Sequence, residues 1–196
     1  MYDLVLRGGL IVDGSGDVPY VGDVAISGER IAAVGEVVGT GQREIDARRL
    51  MVTPGWVDIH THYDGQITWD SRVTPSSTLG ATTVVVGNCG VGFAPVRPQD
   101  HDTLIRLMEG VEDIPGAALH EGLSWNWESF GDYMDAVERL PHDIDVAVQV
   151  PHGALRVYVM GARGANRDPA TPQENAAMRT LTADAQHLRL RRPIDV

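Results

Sequence analysis

Pro54-Gly55-Trp56-Val57-Asp58-Ile59-His60-Thr61-His62 is the stretch on which the reading of this 196-residue chain turns. Pro54 and Gly55 interrupt the pattern before them, and Trp56 then opens an apolar strand of the buried kind that ends in two histidines. Side chains at i and i+2 share one face of a strand, so His60 and His62 present two imidazoles from one strand end, with Asp58 on the same side. Two neutral imidazoles at that spacing suit a borderline metal such as zinc. The same pair also fits polar residues that merely close a strand. Asp58 is placed to orient an imidazole from behind. Asp64 reads as a turn residue or helix cap.

Upstream, residues 1–53 read as a small all-β unit. Leu4 to Arg7 and Leu10 to Asp13 are short strands separated by Gly8-Gly9, and Asp23 to Val34 forms a hairpin around a glycine-containing turn. The change of pattern at Pro54 marks a domain boundary, with residues 54–196 as a second, α/β unit.

Downstream, Ala81 to Val86 is β-branched and apolar on both faces, as a strand buried in a parallel sheet should be, and it runs into Gly87-Asn88-Cys89-Gly90. Leu104, Leu107, Met108 and Val111 predict one amphipathic helix; Phe130, Tyr133, Met134 and Val137 predict another. Both lie in an insertion spanning about 96–142. Asp145 to Val150 is the third strand, followed by Pro151-His152-Gly153. Thr171-Pro172-Gln173-Glu174 is a capping box that starts a helix carrying Ala177, Met178 and Leu181. Beyond Ala185 no apolar run suits a fourth strand, and the chain contains no internal repeat.

Cys89 is the sole cysteine, so no intrachain disulfide forms. It is either a small buried hydrophobe or a thiolate beside a cation. At the end of the second strand it could share a rim with His60 and His62, and in a parallel α/β barrel active sites occupy that rim. His152, at the end of the third strand, fits either the same pocket or a hydrogen-bonded structural role. The Gly87 to Gly92 segment lacks the Lys-Ser/Thr ending of a phosphate loop and any dinucleotide fingerprint. Trp125 and Trp127 read as packing for the insertion.

Composition narrows the classes. With 43% hydrophobic and 22% charged residues the chain is an ordinary globular protein. Its 16 Lys and Arg against 27 Asp and Glu give a net charge of −11, which disfavours nucleic acid; positive charge clusters only at Arg189 to Arg192. No apolar run is long enough for a membrane span and Met1 to Leu4 do not begin a signal peptide, so a cytoplasmic protein is expected.

From residue 2 to about 181, the sequence resembles the N-acyl-D-amino-acid deacylases (D-aminoacylases) of the metal-dependent amidohydrolase superfamily. Asp3 to Gly9, Gly22 to Ile26 and Pro54 to Gln66 carry the superfamily's pattern. Gly87 to Pro95, Met108 to Pro115, Trp125 to Phe130 and Pro151 to Arg156 carry that of the branch. The resemblance implies a small composite β-sandwich, to which residues 1–53 contribute, beside a partial (β/α)8 TIM-type barrel. It implies Zn2+ held by His60, His62 and Cys89, with Cys89 where hydantoinase relatives use a carboxylated lysine. The implied reaction is hydrolysis of a small N-acyl-D-amino acid to a D-amino acid and a carboxylate, with a strand-end aspartate as acid and base. That aspartate, further histidine ligands and the arginine for the substrate carboxylate belong to segments beyond this sequence. A complete barrel takes about 250 residues, more than the whole chain contains. The match also stops after Leu181. These 196 residues therefore read as a truncated or frame-changed copy that turns over substrate slowly or not at all. The rival readings are a cyclic-amide hydrolase of the dihydroorotase or hydantoinase kind, against which the Gly-Asn-Cys-Gly segment and the tryptophan-bearing insertion argue, and a non-catalytic, metal-binding partial barrel.

Overall fold

A computed structural model describes residues 1–112 and 114–186. They fall into two units, one of Met1–Gly55 and one beginning at Trp56. Asp113, the Arg189 to Arg192 cluster and the stretch 187–193 lie outside the described residues.

The first unit is one five-stranded sheet of β1 (Tyr2–Ile11), β2 (Tyr20–Ser27), β3 (Arg30–Gly35), β4 (Gly41–Asp46) and β5 (Met51–Val52). The order is β3-β2-β1-β4, with β5 also on β1; β1, β2 and β3 pair antiparallel, whereas β4 and β5 run parallel to β1. The two short strands expected around Gly8-Gly9 are one strand, bent by a bulge between Leu6 and Gly9. Gly8 takes φ +68° there, and its amide donates to Asp23 Oδ1 at 2.8 Å. Arg7, at the same bulge, donates to Asp23 Oδ2 at 2.8 Å and Glu44 Oε1 at 2.7 Å, tying β1, β2 and β4 together. Val5 and Ala25 are fully buried beside Val37. A sandwich needs two sheets, and the described residues of this unit supply one.

The second unit is built on a parallel sheet, β6 (Trp56–Asp58), β7 (Ala81–Val86) and β8 (Asp145–Val148), in the order β6-β7-β8. Parallel neighbours require long crossovers. The one from β7 to β8 contains α1 (His101–Glu112), α2 (Gly116–Gly122) and α3 (Phe130–Arg139). Apolar spacing reveals two of these; the seven residues of α2 are too few to display a helical period. After β8 come α4 (His152–Met160), α5 (Ala162–Ala165) and α6 (Pro172–Gln186). Glu174 accepts from the Thr171 amide at 2.7 Å and its own amide donates to Thr171 Oγ1 at 3.2 Å, so the capping box forms.

The buried apolar strand expected from Trp56 onward is instead short and exposed: Trp56 is 67%, Val57 57% and Ile59 72% accessible. It pairs with β7 on one side, and no described strand covers its other edge. The central strand β7 is buried as expected, with Val84 and Val86 packed against a core that includes Phe93, Leu104, Met108, Tyr133 and Val137. None of the described helices is long and apolar enough to cross a membrane.

Candidate metal centre

The C-terminal ends of β6 and β7 deliver the chemistry. Past Asp58 the chain turns, and the His60 amide donates to Asp58 Oδ1 at 3.2 Å, so Asp58 holds the backbone of His60. Past Val86, Gly87 adopts φ +86°, and a Cβ there would overlap the carbonyl oxygen of Gln149. Two residues on, Cys89 is itself left-handed, with φ 53° and ψ 9°. That turn swings the thiol back toward the histidines. His60 Nε2 lies 3.3 Å from Cys89 Sγ, and the two imidazole centroids are 5.4 Å apart. One donor atom from each of His60, His62 and Cys89 lies within 4.8 Å of the other two. Tetrahedral nitrogen and sulfur donors on a zinc ion stand about 3.5 Å apart, so this spacing suits a shared cation.

The surroundings of His62 point the same way. Its Nε2 is 3.2 Å from Glu112 Oε1 at the end of α1, whereas its buried Nδ1 has no hydrogen-bond partner. A carboxylate on one ring nitrogen fixes the tautomer and strengthens the other as a ligand. Two imidazoles and a thiol together form a donor set of the zinc type.

Asp64, expected as a turn residue or cap, is 2% exposed, and the short helical turn after it has no side-chain cap. Burial pushes its carboxyl up to about 7, against the opposing pull of the Gly87 amide. Its carbonyl accepts the buried Tyr133 hydroxyl at 2.7 Å, while Oδ2 has no partner. His152 is exposed at the start of α4, beside Gly90. It lines a groove of about 570 Å³ together with Cys89, Arg106 and Arg156, but is not among the three mutually close donors.

Trp127 donates from Nε1 to the Phe93 carbonyl at 2.8 Å, and Trp125 stacks on His101 with centroids 3.9 Å apart. Both tryptophans thereby pack the insertion beside the segment that follows Cys89. Sequence reasoning passed over Glu112 and Asn88. Glu112 is reached through the fold alone, and Asn88 resembles any polar residue of a glycine-rich turn.

The sequence profile of the amidohydrolase family matches residues 43–192. The chain belongs to the amidohydrolase family. Among relatives of this amidohydrolase-family chain, a D-aminoacylase of Alcaligenes xylosoxydans xylosoxydans is 36% identical over 94% of the chain and 35% of its own length. A crystal structure of D-aminoacylase superposes with a TM-score of 0.77 at 35% identity, covering 94% of this chain and 36% of that one. The N-acyl-D-glutamate deacylase of Bordetella bronchiseptica, solved with zinc and a phosphonate inhibitor, gives a TM-score of 0.70 at 30% identity, with coverages of 94% and 36%. The chain thus spans about a third of the length of the curated relatives it matches.

Proposed function

We propose that this chain forms part of a zinc-dependent deacylase that hydrolyses N-acyl-D-amino acids to a D-amino acid and a carboxylate, with His60, His62 and Cys89 as zinc ligands. The observation that carries the reading is the convergence of these three donors within 4.8 Å. The substrate class follows the names of the similar D-aminoacylase and N-acyl-D-glutamate deacylase. On this reading β6, β7 and β8 are the first strands of a (β/α)8 barrel whose C-terminal rim carries the site. Residues 1–53 are then one part of the sandwich beside it.

Zinc held there would supply Lewis acidity, polarising the amide carbonyl and lowering the pKa of a water so that hydroxide is available as the nucleophile near neutral pH. The residues of the chain set the stage. Cys89 gives up its thiol proton on binding, Glu112 holds the ring of His62, and Asp58 fixes the loop that carries His60. Among the described residues no carboxylate belongs to the mutually close set, and Glu112 meets the site through His62.

The test is N-acetyl-D-methionine offered to the zinc-loaded 196-residue chain beside its L enantiomer and a hydantoin. Slow, D-selective release of methionine, lost in Cys89→Ala, is expected. Release that survives Cys89→Ala, or faster opening of the cyclic amide, overturns the assignment. Zinc binding with no release at all keeps the metal site and is the outcome of an incomplete deacylase site as well as of the second reading, a metal-binding partial barrel.

A further inference from the structure

We infer that Asn88 is the positioning residue of the metal centre: its side-chain amide clamps the loop bearing His60 and His62 to the turn bearing Cys89. The inference rests on the ligand assignment above and extends it to a residue that is not a ligand.

Every polar atom of the Asn88 side chain is engaged. Nδ2 donates to the Thr61 carbonyl at 3.2 Å and to the Val85 carbonyl at 2.8 Å, and Oδ1 accepts from Gln149 Nε2 at 2.9 Å. These partners lie just past β6, near the end of β7 and just past β8, so one amide joins the ends of all three strands. Thr61 sits between the two histidines, and Asn88 directly precedes the cysteine. The clamp is therefore one residue from each proposed ligand.

The clamp has a reason to exist. Cys89 occupies the left-handed region, which a residue with a Cβ enters only at a cost, so the turn needs external support. Thr61 adds to that support, donating to the Val85 carbonyl from its amide at 3.1 Å and from Oγ1 at 2.8 Å. Asparagine suits the position chemically. Two backbone carbonyls require a donor with two hydrogens, and the Gln149 amide requires an acceptor beside it. Aspartate would turn a carboxylate toward two carbonyl oxygens.

The test is Co2+ titration of the full chain, followed through the near-ultraviolet thiolate-to-cobalt absorption, with thermal melts of the metal-free proteins alongside. The wild-type chain should show the band and Cys89→Ser should lose it. Asn88→Asp and Asn88→Ala should bind Co2+ about tenfold or more weakly and give a diminished band. Gln149→Ala removes an exposed partner and should keep the wild-type melt while weakening Co2+ several-fold, so it decides the matter if the Asn88 variants do not fold. A normal wild-type band with wild-type affinity in the folded Asn88 variants, or in Gln149→Ala when those do not fold, overturns the clamp and leaves the ligand assignment intact. No band in the wild-type chain overturns the ligand assignment, and the clamp with it.

Discussion

At the scale of single residues, the site depends on a turn that few sequences can make. Gly87 has φ +86°, and a Cβ there would run into the Gln149 carbonyl. Gly87→Ala is therefore expected to cost about 1–3 kcal/mol in a denaturant melt and to weaken metal binding, because Cys89 follows two positions on. An unchanged melt would mean that the turn is softer than its contacts indicate. The residues legible in the sequence were those whose chemistry is tied to a strand end: His60 and His62 by their i and i+2 spacing, Cys89 by its place after a β-branched run. Asp64 lies in a turn as expected, but its burial was not legible, since one of its partners, the Tyr133 hydroxyl on its carbonyl, comes from 69 residues away. Glu112 escaped notice for the same reason, since only the packing of α1 brings it to His62.

Among the elements, α3 and the tryptophan segment hold the loops beneath the site. Tyr133→Phe leaves the buried Asp64 carbonyl without its donor and should destabilise the second unit by about 1–3 kcal/mol in a chemical melt. Trp127→Ala removes a ring that is 5% exposed and its bond to the Phe93 carbonyl, with an expected loss of about 3–5 kcal/mol. In the N-terminal sheet the hydrogen bonds from Arg7 hold Glu44 at a pKa of about 2, below its ordinary 4.5. A carboxylate depressed in the folded state stabilises it above the unfolded value and ceases to do so as pH falls. The sheet should therefore lose stability between about pH 4.5 and pH 2, by a modest amount because the pair is exposed. Melts at a series of pH values should show a shallower acid slope for Glu44→Gln, and an identical slope would remove Glu44 from the account. The strands themselves were legible from composition, but exposure was not. Trp56 to Ile59 has the apolar content of a central strand, yet among the described residues it lies at the edge of its sheet, because burial is decided by neighbours rather than by the strand's own residues.

On the scale of the whole molecule, the donors come from the ends of two parallel strands, so a bound metal is a cross-link within the second unit. Zinc at about 100 times its Kd should stabilise the folded chain by about 2.7 kcal/mol, and a chelator should reverse this in a thermal melt; a melt indifferent to both would contradict the link. The family was legible because its motifs surround these strand ends, and the relatives are about three times as long as this chain. The metal centre stands or falls on whether Cys89 and the two histidines hold one ion together. X-ray absorption at the zinc edge of the loaded 196-residue chain tests it most directly. The account predicts a sulfur scatterer at about 2.3 Å together with nitrogen scatterers at about 2.0–2.1 Å, the sulfur vanishing in Cys89→Ser. A shell of nitrogen and oxygen alone in the wild-type chain, or a well-folded chain that retains no zinc, would contradict it.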